Sequence, residues 1–309
     1  MPVATRRSAS PKRAAAPSSA PARAGNGATK KKPRAAPISK LARLVVGAAA
    51  FVLLVLANLG QHRWHPPLTL VEVQATATLG GADWRSRFDP YASTNGEFIW
   101  TPAHEARLQD FSGKGVYLTA CTIFLQAAYQ GCSLLVELLG ESAAPRGTQI
   151  VYHCTPFFNG FGILVCCMFL FFWLIQVTIH PEWRAQWNFF EARGYAYMPL
   201  MCLVHLPSLA CGFLDVLSKK PALLAHHCPS RTHLLLAVTA YHATFECWLL
   251  LNWTQTGGAI PYPWYYDIAR SPYPLGALLL YLVVVNVMVS YLVLGYRRFI
   301  LSWVGWCTA

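Results

Sequence analysis

The chain has 309 residues, a mass of 34.3 kDa and a formal net charge of +12. Charged residues make up 12% and apolar residues 55%, with a mean hydropathy of +0.35. Soluble domains carry roughly twice that share of charge, so the composition excludes an ordinary soluble domain and reads as an integral membrane protein. Much of the positive charge sits in the first 43 residues, which argues against a specific nucleic-acid-binding fold. Ten cysteines, at 121, 132, 154, 166, 167, 202, 211, 228, 247 and 307, lie mostly inside apolar runs with no CxxC pair. They read as small apolar side chains, not as a disulfide or zinc framework.

Residues 1–40 are rich in Ala, Pro, Ser, Arg and Lys and have no aromatic residue, so they read as a disordered polybasic tail. Such a tail sets topology and attracts anionic lipid headgroups. The fold class expected for the rest is an all-α bundle of six transmembrane helices, at about 41–60, 115–139, 157–179, 196–217, 232–253 and 274–296. Together they make a membrane domain of residues 41–298, with an outer insertion at 61–112 and a short C-terminal tail at 299–309. The third span is the least polar and is expected to face lipid most. The segments between spans are expected to be loops: Gly140–Thr155, a basic Ser218–Arg231, and an aromatic, proline-rich Thr254–Tyr273. Lysines and arginines in the tail, in Ser218–Arg231 and at Arg297 and Arg298 put both termini in the cytoplasm by the positive-inside bias. The membrane itself is expected to be the endoplasmic reticulum or the plasma membrane.

The second span carries Thr119, Thr122, Gln126, Gln130, Ser133 and Glu137 at steps of three or four, which is one stripe of a helix. A lipid-facing helix would not gather amides and a carboxylate on one side, so the stripe is expected to look inward. On the fourth span His205, Ser208, Gly212 and Asp215 share a face, and on the fifth Thr239, His242 and Glu246 do. Each has a plain structural account. Thr119 bonds a carbonyl of the preceding turn, and His205 packs against one polar partner. Glu137 and Asp215 pair with Lys219 or Lys220. His242 and Glu246 bond each other, two ligands being too few for a metal. The chemical account joins Thr119 and His205, because a threonine nucleophile needs a base and a neutral imidazole is suited to that role. The expected boundaries place Thr119 about 6 Å and His205 about 14 Å below the outer edge of the bilayer.

The segment SGKGVYLTACTIFLQAAYQGCSLLVELL resembles the second span of the androgen-induced-protein family, with its aromatic-Leu-Thr, Gln-Ala and later acidic residue. HLPSLACGFLDVL resembles that family's histidine-containing span, and HHCPSR its loop ending Pro-Ser-Arg. Trp248, Thr256-Gly257 and Tyr262-Pro263-Trp264 are similar to its Trp…Thr-Gly…Tyr-Pro stretch. The resemblance runs from about Leu41 to Tyr296. It implies a multipass threonine hydrolase of fatty acid esters of hydroxy fatty acids, with Thr119 as nucleophile and His205 as essential histidine. The family's Asn-His pair before that histidine is Met201-Cys202 here, and its fifth-span histidine is replaced by Asn252-Trp253-Thr254.

The expected function is therefore hydrolysis of a lipid ester drawn from the bilayer, without a cofactor or metal. Thr119 attacks the ester, His205 carries the proton, and Gln126, Tyr117 or Asn252 serves as oxyanion or substrate-binding group. Glu137, Asp215, His242 and Glu246 are supporting polar residues. The rival readings are a transporter or channel using the same stripes, a haem carrier using His205 and His242, and a regulatory scaffold.

Overall fold

A computed structural model describes residues 38–60, 105, 108–109, 111–171, 187–188 and 190–308. The basic tail up to residue 37, nearly all of the 61–112 insertion and the expected end of the third span lie outside the described residues. The fold is all-α, with eight helices and no strand among the described residues. Six of the helices are long and apolar enough to cross a membrane: α1 (Lys40–Leu59), α2 (Leu118–Leu139), α3 (Pro145–Phe169), α4 (Tyr197–Ser218), α6 (Arg231–Gln255) and α8 (Pro274–Thr308). Two short helices, α5 (Pro221–His227) and α7 (Pro263–Arg270), occupy stretches expected to be loops. Proline at the first turn of each fixes the backbone where a helix has no N–H bond to lose.

Helix α1 is capped by Ser39, whose side chain accepts from the Ala42 amide at 3.2 Å. Its buried face is Gly47, Ala50, Leu54 and Ala57, a small-residue stripe that lets α2 and α4 approach closely. Gly47 lies directly against Ser218 and Leu134. A 3-10 turn at Gly113–Val116 leads into α2, and the Tyr262 hydroxyl accepts the otherwise orphaned Leu118 N–H at 2.9 Å. Gly140, at φ +84°, ends α2 in a conformation that strains any residue with a Cβ.

The third span departs from expectation twice. It starts at Pro145, so most of the expected loop Gly140–Thr155 is helix. It is also the most enclosed span, not the one that faces lipid. In α3, 61% of the most apolar window is buried, against 22% in α1 and α6 and 17% in α8. Hydropathy reports composition, not place. Two glycines bring neighbours onto α3: Val293 of α8 sits against Gly160, and the Gln126 amide of α2 sits against Gly162. A Cβ on Gly160 would lie 2.9 Å from Val293 Cγ2 and 3.2 Å from its Cα. Gly160→Ala is thus expected to cost about 1–3 kcal/mol by overpacking. Gly295→Ala, with nothing within 4 Å, serves as the neutral control in a thermal unfolding assay. Equal melting of the two variants would contradict this packing.

The last helix also outruns its expected span. It runs 35 residues, about 52 Å, where the expected helix stops at Tyr296 and leaves a tail. Ile300 and Val304 are buried with Leu224 of α5, Tyr152 of α3 and Val216 of α4, which holds the extra turns in place. Arg297 anchors the same corner by donating to the Pro229 carbonyl at 2.8 Å. All ten cysteines are free, but only Cys166 and Cys211 are buried, and Cys132 and Cys247 are exposed.

Candidate functional site

Helices α2, α3 and α4 meet along their polar stripes. At the tail end of the bundle, where α1 begins, Asp215 and Lys219 form an ion pair in which neither side chain has solvent exposure. Removing two charges from solvent is costly unless their bonding capacity is filled, and here it is. Asp215 Oδ2 accepts from Tyr129 at 2.8 Å and from Asn159 at 2.7 Å. Its Oδ1 accepts from Ser133 at 3.2 Å and from Lys219. The Lys219 ammonium also donates to Ser133 Oγ at 2.7 Å and lies 5.2 Å and 5.6 Å from the ring centroids of Tyr129 and Tyr152. Such ring faces attract a desolvated cation.

The expected pairing of Glu137 and Asp215 with Lys219 or Lys220 is thereby sorted. Asp215 takes Lys219. Glu137 instead accepts from Tyr152 and lies 3.7 Å from Arg43 of α1. Lys220 reaches Glu141 at 3.8 Å. His242 and Glu246 do bond each other, at 3.1 Å, and Tyr265 of α7 donates to the second Glu246 oxygen at 2.6 Å. Among the described residues no three His, Cys, Asp or Glu side chains come together as metal ligands.

Tyr129, Tyr152, Thr155 and Asn159 were not singled out as site residues from the sequence. The signal was present on α3, where Thr148, Tyr152, Thr155 and Asn159 follow one another at steps of four, three and four. Starting the helix at Pro145 turns them into a stripe matching that of α2.

Deeper in the bundle the Gln126 amide donates to Asn159 Oδ1 at 3.3 Å and to the Ser208 carbonyl at 3.1 Å. The Gln126–Ser208 and Ser133–Asp215 bonds both join α2 to α4 at a separation of 82 residues. That constant register places Thr119 level with Met201 and Thr122 level with Val204. His205 therefore lies about one turn, some 6 Å along the axis, deeper than Thr119. No hydrogen bond joins Thr119 to His205. Thr119 is half-buried and has no hydrogen-bond partner among the described residues. The buried His205 ring stacks on Phe169, with centroids 4.4 Å apart and planes 13° from parallel, and its Nδ1 contacts the Met201 carbonyl at 2.7 Å. A carbonyl only accepts, so Nδ1 carries the proton and Nε2 keeps its lone pair.

The three groups expected to serve as oxyanion donors are engaged elsewhere. Gln126 is bonded as above. The Tyr117 hydroxyl donates to Glu105 at 2.7 Å, and Asn252 donates to the Leu108 carbonyl at 3.3 Å while accepting from Ser112 at 2.6 Å. Lys114, 3.6 Å from Glu105, belongs to the same cluster at the start of α2. Burial lowers its ammonium pKa, and the nearby Glu105 carboxylate opposes that shift. A different donor stands one turn from Thr119. Thr122 Oγ1 and the Tyr241 hydroxyl are 3.2 Å apart, and either is the donor. Two hydroxyls sharing one hydrogen bond leave one O–H proton unused. No family model, curated protein or solved structure matches the chain, so the roles of these residues rest on their own chemistry.

Proposed function

We propose that the chain hydrolyses a lipid ester within the membrane, with Thr119 as nucleophile and His205 as general base. The observation that carries this reading is the state of His205. It is a buried imidazole on an inward face, its tautomer fixed by the Met201 carbonyl and its Nε2 without a hydrogen-bond partner among the described residues. A base of that kind takes a proton from a hydroxyl that a substrate brings into line. The family resemblance supports an ester of a fatty acid with a hydroxy fatty acid as substrate. Thr119 Oγ attacks the ester carbonyl and passes its proton to Nε2. Nε2 returns that proton to the leaving alkoxide, and water then releases the acyl group from Thr119.

The spare hydroxyl proton of the Thr122–Tyr241 pair replaces Gln126, Tyr117 and Asn252 as the proposed oxyanion donor. Tyr241→Phe is expected to lower turnover about a hundredfold while leaving the melting temperature close to that of the parent. A loss below threefold would remove Tyr241 from the mechanism.

The membrane transporter reading requires acidic groups free to load and unload. Asp215, Glu137 and Glu246 are each held by a cation, a phenol or a histidine. The test of the hydrolase reading is labelling of the purified chain with an activity-based serine/threonine hydrolase probe. The parent is expected to be labelled and Thr119→Ala not. Equal labelling of the two, or none of the parent, would favour a non-enzymatic membrane scaffold.

A further inference from the structure

The tail end of the bundle holds a second polar feature, separate from the Asp215–Lys219 network and from His205. A pocket of about 90 Å³ opens where α1 begins, α2 ends and α3 begins, with Lys40, Arg43, Glu137, Glu141, Thr148 and Lys220 on its walls. Its volume admits several water molecules, and so a compact charged group but not an acyl chain. Helix ends mark the membrane boundary, so the pocket lies at headgroup depth.

Three cations share its walls with two carboxylates, so charge accounting leaves one positive charge over. Glu137 is satisfied by Tyr152 and faces Arg43, and Glu141 faces Lys220. Lys40 has no carboxylate within ion-pair distance among the described residues. Arg43 Nε is sealed from solvent without a hydrogen-bond acceptor, while its Nη1 donates to the Ile38 carbonyl at 2.8 Å. The first turn of the 25-residue α3 lines the pocket through Thr148, and no side chain caps that helix. An uncapped N-terminus adds partial positive charge, which favours a phosphate, while the Thr148 N–H itself goes to the Ala144 carbonyl at 2.9 Å. Next to these residues along the chain, Leu41, Leu138 and Leu139 are exposed. They give an apolar flank for acyl chains beside the polar pocket.

We propose that this corner binds the phosphate headgroup of an anionic membrane phospholipid, with Lys40, Arg43 and Lys220 as the cationic contacts and the start of α3 as the anion-facing helix end. The site is independent of the hydrolase reading. It differs from the diffuse attraction of the basic tail in having a fixed position in the fold. The positive-inside bias assigns this end to the cytoplasmic leaflet, which is the leaflet rich in anionic lipid.

The experiment uses the full chain in phosphatidylcholine nanodiscs with and without phosphatidic acid, reading bound lipid by native mass spectrometry and the melting temperature in parallel. Phosphatidic acid is expected to be retained and to raise the melting temperature, and phosphatidylcholine alone not to. Lys40→Gln, at an exposed position, and Lys220→Gln, at a half-buried one, are each expected to weaken retention about fivefold. A tail variant with Lys30, Lys31 and Lys32 changed to Gln is expected to retain the lipid. Undiminished retention in the Lys40→Gln/Lys220→Gln double variant would overturn the site. So would loss of retention in the tail variant alone. Inorganic phosphate that raises the melting temperature as much as phosphatidic acid would reassign the pocket to a soluble phosphate and overturn the lipid assignment.

Discussion

Lys219→Met is expected to lower stability by about 3–5 kcal/mol. The magnitude follows from burial. Asp215 and Lys219 are fully enclosed, and removing the ammonium leaves a carboxylate with no counter-charge inside the bundle. Tyr129, Asn159 and Ser133 still donate to that carboxylate, which keeps the loss from growing further. Asp215→Asn alone is expected to cost a similar amount, because it strands the ammonium. The double variant, with both charges gone, is expected to recover most of the loss, since neutral groups of similar volume carry no ionic desolvation penalty. Melting temperatures and half-lives at fixed temperature in detergent read all three variants. If the double variant is as unstable as the sum of the singles, the pair is not a coupled unit and this account of the core fails. A parallel measurement on Glu137→Gln separates burial from charge. Glu137 shares its site with Arg43, whose side chain retains 13% exposure, and its loss is expected to be the smaller.

The six-helix architecture was legible because each span is an apolar run of bilayer length, and the inward stripe of α2 because its polar residues fall at helical steps. The position of α3 was not. Its first turns carry Thr148, Tyr152 and Thr155, which lower the local hydropathy and read as a loop, while the stretch from Phe157 on, Asn159 included, is apolar overall and reads as lipid-facing. Both readings mistake composition for position. The polar half faces α2 and α4, and the apolar half is covered because Gly160 and Gly162 admit neighbours at close range. The partner of Asp215 was legible as a choice between two adjacent lysines. Only the helical step of four, from Asp215 to Lys219, singles out one of them, and that requires knowing that the helix persists to Ser218. Glu137 found its cation on α1, 94 residues away, a separation that no local pattern encodes. The oxyanion candidates were chosen for residue type and rough depth. Hydrogen bonds to Glu105, Leu108 and Ser208, at separations of 12, 144 and 82 residues, are what engage them.

Thr119→Ala is expected to abolish ester turnover, and His205→Gln to reduce it by about 10²–10⁴-fold, with the double variant no worse than Thr119→Ala alone. Non-additivity is the informative part. If His205 acts by taking the Thr119 proton, it has nothing to contribute once the hydroxyl is gone. If instead His205 only packs α4 against Phe169 of α3, its loss adds to that of Thr119 and appears equally in the melting temperature. Thr119→Ser restores the hydroxyl and is expected to keep part of the activity that Thr119→Ala loses, as a nucleophile requires. The register adds one demand. With Thr119 about a turn from His205 along the axis, the ester carbonyl must draw the two together as it binds, or lie between them. Substrate should therefore stabilise the parent more than either single variant, and a non-hydrolysable ether analogue in place of the ester makes that measurable as a shift in melting temperature. Equal shifts in the parent and in both variants would show that the ligand does not engage the pair, and the assignment of Thr119 and His205 would fall.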